Sequence, residues 1–367
     1  MIRLVDFTKQ NRLLNKKLIR AIEKVIDNQK YILGPEVEMF EREFAKYCGA
    51  KYTVGVGSGS DALLLSLRAL GIKSGAEIIT VANTFISTVL PILHVGARPI
   101  LVDADPNTLS MDISLIEKKI TARTKVIIPV HLFGLPVDMD PLLRLAKIFN
   151  LSIIEDACQA HGAKYKGRTV GSIGDIGCFS FYPSKNLGAF GDAGAVITNK
   201  KYIADSVGLL RNVGQKEKNI HSVIGYNSKL DTIQAAILLT KLPYLSRWIK
   251  QRRAIASYYT TNLSGLPLVL PSEPDYALAS YHLYVIRTKH RDRLKEYLQK
   301  HDIARGIHFP IPIHLQPCMR ILGYKKGDFP VSEKVSSEVL SLPLYPEMTK
   351  REQDTVILHI KKFFKGN

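Results

Sequence analysis

The stretch Gly177-Cys-Phe-Ser-Phe-Tyr-Pro-Ser-Lys-Asn-Leu-Gly188 joins a predicted strand to a lysine. Its first residues, Gly177–Phe181, are mostly apolar or aromatic and favour a buried strand. Lys185 follows directly, among small and aromatic neighbours. In open, mostly parallel sheets, ligand sites lie beyond the carboxyl ends of the strands. Lys185 is therefore a candidate site residue if the surrounding sequence forms such a sheet.

Strand-like and helix-like segments alternate from about residue 50 to residue 200. Strands are predicted at Tyr52–Val56, Glu77–Val81, Arg98–Val102, Lys125–Val130, Ser152–Glu155, Gly177–Phe181 and Ala195–Thr198. Helices are predicted at Asp61–Leu70, Ser87–Val95, Ile113–Ile120 and Met139–Phe149. Short β-branched runs separated by amphipathic helices indicate an α/β fold, with a mostly parallel sheet between helices.

The pattern of predicted helices and strands changes after about residue 230. Helices are predicted at Leu230–Leu242, Leu245–Tyr259, Arg291–Lys300, Val331–Leu340 and Arg351–Phe364, with one strand at Tyr284–Arg287. A chain of 367 residues favours two domains. We expect a large α/β domain over residues 1–245 and a smaller C-terminal α+β domain over residues 246–367. The helical region Leu13–Gln29 could pack on either one.

Composition narrows the class of protein. The N-terminus lacks the apolar centre of a signal peptide, and no apolar run reaches the length of a membrane span. Four well-separated cysteines fit a reduced, cytoplasmic protein. The net charge of +18 is spread along the chain, without a nucleic-acid-binding motif. A solvated basic surface is favoured, with an anionic substrate as the second interpretation.

Three strand ends carry residues with distinct chemistry. The glycine-rich turn at 55–60 precedes a helix, where free N–H groups bind phosphate, although a tight turn also needs glycine. Asp156 ends an apolar strand. An acidic residue there could serve as a helix N-cap, as part of a structural ion pair or as the partner of a protonated heterocycle. Lys185 lies 29 positions later, and a desolvated lysine there is a neutral amine that can attack an aldehyde.

The ordered segments GSGSDAL, ANTFIST, EDACQAHGA, GCFSFYPSKNLGAFGDAGAV, GYNSKLDTIQAA and HFPIPIHLQP span residues 57 to 317. Together they resemble the nucleotide-sugar aminotransferases of the DegT type. These are fold type I enzymes that depend on pyridoxal 5'-phosphate (PLP). The resemblance implies a soluble homodimer with shared active sites and no metal.

The same resemblance implies a role for each matched residue. Lys185 would form the Schiff base and move the proton, and Asp156 would pair with the pyridine nitrogen. Gln159 would contact the ring hydroxyl, and Phe85 would stack on the ring. The implied phosphate ligands are Ser58 or Ser60, Gly59, Ser180 and, from the neighbouring subunit, Asn227. The implied substrate contacts are Tyr31, Tyr182, Arg211, Lys229, His308 and His314, although the two histidines could instead cap backbone groups.

The segments GAFGDAGAV (residues 188–196) and GYNSKLDTIQAA further resemble enzymes that aminate carbon 3 of the sugar. We therefore expect transfer of the amino group from L-glutamate to a dTDP-3-keto-6-deoxyhexose. A 4-aminotransferase on a UDP- or dTDP-4-keto sugar and a non-catalytic sensor stay open as alternatives. The related sugar dehydratases carry histidine in place of the Schiff-base lysine, and Lys185 argues against that class.

Overall fold

The computed structural model describes residues 1–366. The helices are α1 (Thr8–Asn28), α2 (Pro35–Cys48), α3 (Gly59–Ala69), α4 (Leu90–His94), α5 (Met139–Phe149), α6 (Lys201–Arg211), α7 (Thr232–Lys241), α8 (Leu245–Leu263), α9 (Arg291–Lys300), α10 (Pro330–Glu338) and α11 (Lys350–Lys365). The strands are β1 (Tyr52–Val56), β2 (Glu77–Val81), β3 (Arg98–Val102), β4 (Thr124–Ile128), β5 (Ser152–Asp156), β6 (Lys164–Tyr165), β7 (Arg168–Thr169), β8 (Ile176–Ser180), β9 (Gly194–Thr198), β10 (Gln215–Glu217), β11 (Ile220–His221), β12 (Ala277–Leu278), β13 (Tyr284–Arg287) and β14 (Val339–Leu342).

Seven strands form the central sheet in the order β1-β9-β8-β5-β4-β2-β3. The strands from β8 to β3 are parallel to their neighbours, whereas β9 runs antiparallel to both β1 and β8. The carboxyl ends of β5 and β8 are therefore adjacent at one edge of the sheet. The mostly parallel sheet predicted from the sequence is confirmed.

Apolar residues cover both faces of this sheet. On one face, Phe179 and Phe181 contact Phe44 of α2 edge-on, with ring centroids 5.1 Å apart in each pair. On the other face, α3 and α6 pack through buried leucine, isoleucine and valine side chains. A strand that is buried on both sides must be apolar throughout, which explains why these strands read as continuous hydrophobic runs.

Helix α8 connects two hydrophobic cores. Leu245 and Ile249 belong to the core on the central sheet, whereas Ile255 and Tyr259 belong to a core formed with α9, α11, β13 and β14. The first residues of the chain contact this second core, because the Ile2 N–H donates to the Asp302 carbonyl at 2.7 Å. The domain boundary near residue 245 stays a prediction.

Several segments differ from their predicted structure. The segment predicted as a helix at Ile113–Ile120 forms two short 3-10 turns, and the predicted helix at Ser87–Val95 is a 3-10 turn followed by α4. The end of the predicted helix at Val331–Leu340 is the start of β14, which pairs with β13. Helix α1 packs on α7 and α8 through Leu14, Leu18 and Trp248. No helix within residues 1–366 is long and apolar enough to cross a membrane.

Candidate active site

A cavity of about 360 Å³ opens at the carboxyl edge of the sheet. Ten of the predicted site residues line it: Ser58, Gly59, Ser60, Phe85, Asp156, Gln159, Ser180, Tyr182, Lys185 and His308. They come from five separate segments of the chain, which the parallel topology brings to the same edge. The strand-end rule therefore predicted the location of the cavity.

Lys185 lies in a closed turn, Phe181–Ala189, which we call the lysine turn. Its ends are joined by a hydrogen bond from the Ala189 N–H to the Phe181 carbonyl at 2.8 Å. The Lys185 amine makes no hydrogen bond or ion pair with any residue from 1 to 366. Burial lowers its pKa, while nearby Cys158 and Asp156 act in the opposite direction. An unpaired amine with a lowered pKa is prepared for nucleophilic attack on a carbonyl.

Asp156 ends β5 and is 5% exposed. Its Oδ2 accepts a hydrogen bond from the Thr88 hydroxyl at 2.8 Å, and its Oδ1 accepts one from the Cys158 N–H at 3.2 Å. Because the Thr88 hydroxyl donates to a carboxylate, its oxygen accepts the 2.8 Å bond from the Thr84 hydroxyl. These donors orient the Asp156 carboxyl group at the cavity, where a protonated heterocyclic nitrogen would complete the pair.

Gln159 is oriented by the backbone of a different loop. Its Oε1 accepts a hydrogen bond from the Phe133 N–H at 2.8 Å. Phe133 has a positive φ of 57°, which turns this N–H toward the glutamine. With the oxygen engaged, the amide nitrogen is left to donate into the cavity. This orientation fits the predicted contact with a ring hydroxyl.

The start of α3 forms one end of the cavity. The Ser58 hydroxyl caps the helix by accepting from the Asp61 N–H at 3.1 Å, and it keeps its own proton to donate. A Cβ on Gly59 would lie 2.7 Å from the Ser180 Cβ and 2.9 Å from the Cys158 Sγ. Only glycine therefore allows the helix start to approach β8. Free N–H groups at a helix start, flanked by serine hydroxyls, suit a phosphate group.

Three histidine rings lie within electrostatic range of Lys185: His161 and His282 are buried, and His308 is half-buried. Burial and the Lys185 charge lower the pKa of His161 to about 3, and they also lower the pKa values of His282 and His308. All three rings are therefore neutral at pH 7. His308 is held by the Ser341 hydroxyl at 2.7 Å. Only His308 was predicted as a site residue.

The remaining predicted residues lie outside the cavity of their own chain. Arg211 pairs with Glu41 and donates to the Gly55 carbonyl at 2.6 Å, and His314 pairs with Glu333 at 3.0 Å. Both side chains are thus used in internal contacts of the chain, and their predicted substrate roles stay predictions. Three exposed or half-buried residues, Tyr31, Asn227 and Lys229, do not line the cavity either, and Lys229 donates to the Asn227 Oδ1 at 2.5 Å.

Several residues that shape the site were not predicted from the sequence. Thr84, Thr88, Ser184, Asp192, His282 and Phe309 line the cavity together with Cys158. Thr88 lies within the segment ANTFIST, and Phe309 lies within HFPIPIHLQP, so the quoted motifs contained a signal for both. His282 carried no such signal.

Glu155, beside Asp156, has a purely internal role. It is fully buried and accepts hydrogen bonds from the Gly171, Ile173 and Gly174 N–H groups, each at 2.7 Å. His131 donates to it from Nε2 at 3.0 Å, because the His131 Nδ1 already accepts from the backbone. The two adjacent acids thus have different tasks: Glu155 fixes the loop that follows β7, and Asp156 faces the cavity.

The model of the DegT/DnrJ/EryC1/StrS aminotransferase family matches residues 13–361. The chain belongs to this family. It is 44% identical, over 99% of both chains, to dTDP-3-amino-3,6-dideoxy-alpha-D-galactopyranose transaminase of Aneurinibacillus thermoaerophilus. It is also 42% identical, over 99% of this chain and 98% of the other, to a Geobacillus stearothermophilus protein named pleiotropic regulatory protein. The structure of S. venezuelae DesV in complex with a ketimine intermediate superimposes with a TM-score of 0.97, at 41% identity, over 99% of this chain and 98% of that one.

Family membership confirms the predicted resemblance, the fold class and the class of enzyme. The cofactor of this family is PLP, and the cavity fits it. The start of α3, which only Gly59 permits at this place, is available for the phosphate. The hydrogen-bonded carboxyl group of Asp156 is available for the ring nitrogen, and the unpaired amine of Lys185 is available for the aldehyde.

Proposed function

We propose that the protein transfers the amino group of L-glutamate to carbon 3 of a dTDP-3-keto-6-deoxyhexose, giving a dTDP-3-amino-3,6-dideoxyhexose and 2-oxoglutarate. The observation that carries the aminotransferase chemistry is the convergence of an unpaired, half-buried Lys185 with Asp156 and Gln159 in one cavity. The choice of sugar carbon is supported by the relative from Aneurinibacillus, whose name specifies a 3-amino sugar.

When bound, PLP supplies an electron sink that stabilises negative charge on the reacting substrate carbon. The Lys185 amine would hold PLP and would move a proton at the reacting substrate carbon. Asp156, which accepts hydrogen bonds from the Thr88 hydroxyl and the Cys158 N–H, would pair with the ring nitrogen. Phe85 would cover one face of the ring, and Gln159 would donate to the ring hydroxyl.

The sugar and nucleotide sides of the site are proposed by resemblance. Tyr182 and His308 line the cavity on the open side and are proposed to contact the sugar. Asn227 and Lys229 are exposed or half-buried and lie outside this cavity, which fits residues that serve the neighbouring subunit's site in a cytoplasmic homodimer. Tyr31, Arg211 and His314 complete the proposed substrate contacts.

A direct assay tests this function. The purified protein, loaded with PLP, is incubated with L-glutamate and either a dTDP-3-keto-6-deoxyhexose or a dTDP-4-keto-6-deoxyhexose. Formation of 2-oxoglutarate and the position of the new amine are followed by coupled absorbance and by NMR. We expect amination at carbon 3 only, and none in the Lys185→Ala variant.

Two outcomes would contradict the proposal. A product aminated only at carbon 4 would show that the protein is a 4-aminotransferase. Binding of PLP and sugar nucleotide without any 2-oxoglutarate would favour a regulatory role, as the name of the Geobacillus relative suggests for that protein.

A further inference from the structure

A buried lysine with no acidic partner lies behind the lysine turn. Lys241, the last residue of α7, is 3% exposed. Its amine donates to the Gly188 carbonyl at 2.7 Å and lies 4.3 Å from the centre of the Phe190 ring. No carboxylate of residues 1–366 pairs with it. Burial lowers its pKa to about 8. A buried charge without a counter-ion is costly, so a methionine of similar length would be expected here if only packing mattered.

A second residue on the same face of α7 contacts the same loop. Gln234 lies two helical turns before Lys241, and its Oε1 accepts a hydrogen bond from the Phe190 N–H at 2.8 Å. Its amide nitrogen lies 3.1 Å from the position that a Cβ on Gly191 would take. Helix α7 therefore holds two successive points of the chain, at Gly188 and Phe190.

The lysine turn has little freedom elsewhere. A Cβ on Gly188 would lie 2.3 Å from the Pro183 carbonyl oxygen, so the chain folds tightly back on itself at this glycine. Beyond Lys185, the Asn186 side chain donates to the Ser280 carbonyl at 3.1 Å. The backbone on the far side of Lys185 is thus fixed by Asn186, by Lys241 and by Gln234.

We propose that Lys241 is a positioning residue, which holds the Gly188 carbonyl so that the lysine turn presents the Lys185 amine to the cavity. Gln234 supports the same turn through Phe190. Lys241 contacts neither cofactor nor substrate, and its effect on the reaction is transmitted through the backbone of the turn. The proposal rests on the proposed role of Lys185 but not on the identity of the sugar.

The test compares Lys241→Met with Lys250→Met, which removes an exposed lysine from α8. The first readout is the rate of acetylation of Lys185 in the cofactor-free protein, measured by competitive labelling and peptide mass spectrometry. We expect a rise of about fivefold in Lys241→Met, the change that loss of one ordinary hydrogen bond produces in a local opening equilibrium. Lys250→Met should leave the rate unchanged.

The second readout is kinetic. In the PLP-loaded enzyme, kcat should fall in Lys241→Met while the KM for glutamate stays unchanged, because the amine is misplaced but the substrate contacts remain. Gln234→Leu should shift both readouts in the same direction by a smaller amount, and it carries the test if Lys241→Met does not fold. A lower melting temperature with unchanged labelling of Lys185 in both Lys241→Met and Gln234→Leu would overturn the proposal. Because labelling requires neither sugar nor cofactor, a wrong substrate would leave this result intact.

Discussion

Removing the hydroxyl of Thr88 tests whether the reaction depends on the hydrogen bond that Thr88 donates to Asp156. Thr88 is 1% exposed, and its hydroxyl donates to the Asp156 Oδ2 at 2.8 Å. The substitution Thr88→Val keeps the shape of the side chain and removes this donor. Within residues 1–366, the Cys158 N–H, at 3.2 Å, is then the one hydrogen-bond donor left to the Asp156 side chain.

The expected loss follows from the type of bond. A hydrogen bond to a charged group contributes about 1.5–3 kcal/mol, and each 1.4 kcal/mol corresponds to about a tenfold change. Asp156 would pair with the ring nitrogen, so we expect loss of its Thr88 donor to lower kcat/KM for transamination by about ten- to hundredfold. The graded control is Thr84→Val, which removes a bond to Thr88 but leaves the Thr88–Asp156 bond in place.

The assay is steady-state formation of 2-oxoglutarate, with circular dichroism to confirm that the fold is retained. We expect kcat/KM to be highest in the wild type, lower in Thr84→Val and lowest in Thr88→Val. Equal activity of wild type and Thr88→Val would refute the reasoning, since the carboxylate would then not depend on this donor.

Three other predictions concern the cavity and its support. Gly59→Ala should weaken PLP binding to the cofactor-free protein by about tenfold or more, because overpacking costs about 1–3 kcal/mol. The control Gly208→Ala, whose added Cβ meets nothing within 4 Å, should not weaken binding. Equal affinities of the two variants in a PLP titration would contradict the phosphate assignment. Glu155→Gln should lower the free energy of unfolding by about 3–5 kcal/mol in urea titrations, because an amide N–H₂ would face the N–H donors of the buried network. A loss below about 1 kcal/mol would contradict the role of Glu155 in fixing the loop after β7. The pKa of His161 is lowered to about 3 in the fold and returns to about 6.5 on unfolding, so the unfolded state binds an extra proton and stability should fall by about 1 kcal/mol per pH unit from pH 6 to pH 4. In His161→Phe the slope should be shallower by that amount, and identical slopes would show that the buried ring does not contribute.

The sequence was most informative where local patterns dictate structure. Strands β1, β2 and β3 and helix α5 have the predicted bounds, because each combines a strong hydrophobic pattern with a clear break at its ends. Strand β14 was predicted as the end of a helix. Its strand form depends on pairing with β13, more than 50 positions earlier, which no local pattern reveals.

The site shows the same division. Lys185, Asp156 and Gln159 follow apolar strands or stand in recognisable motifs, so their positions could be predicted. His282 could not be predicted, and the motif ANTFIST contains Thr88 without revealing its role, because both roles arise only when distant segments meet around the cavity. The partners of Arg211 were missed for a related reason, since Glu41 lies 170 positions away in the chain.

The attachment point of the cofactor tests the central claim most directly. The PLP-loaded protein is reduced with borohydride, which fixes the cofactor to the amine that holds it, and is then digested for peptide mass spectrometry. We expect the pyridoxyl group on Lys185 alone, and none after reduction of Lys185→Ala. Attachment to another lysine, such as the buried Lys241, would contradict the account.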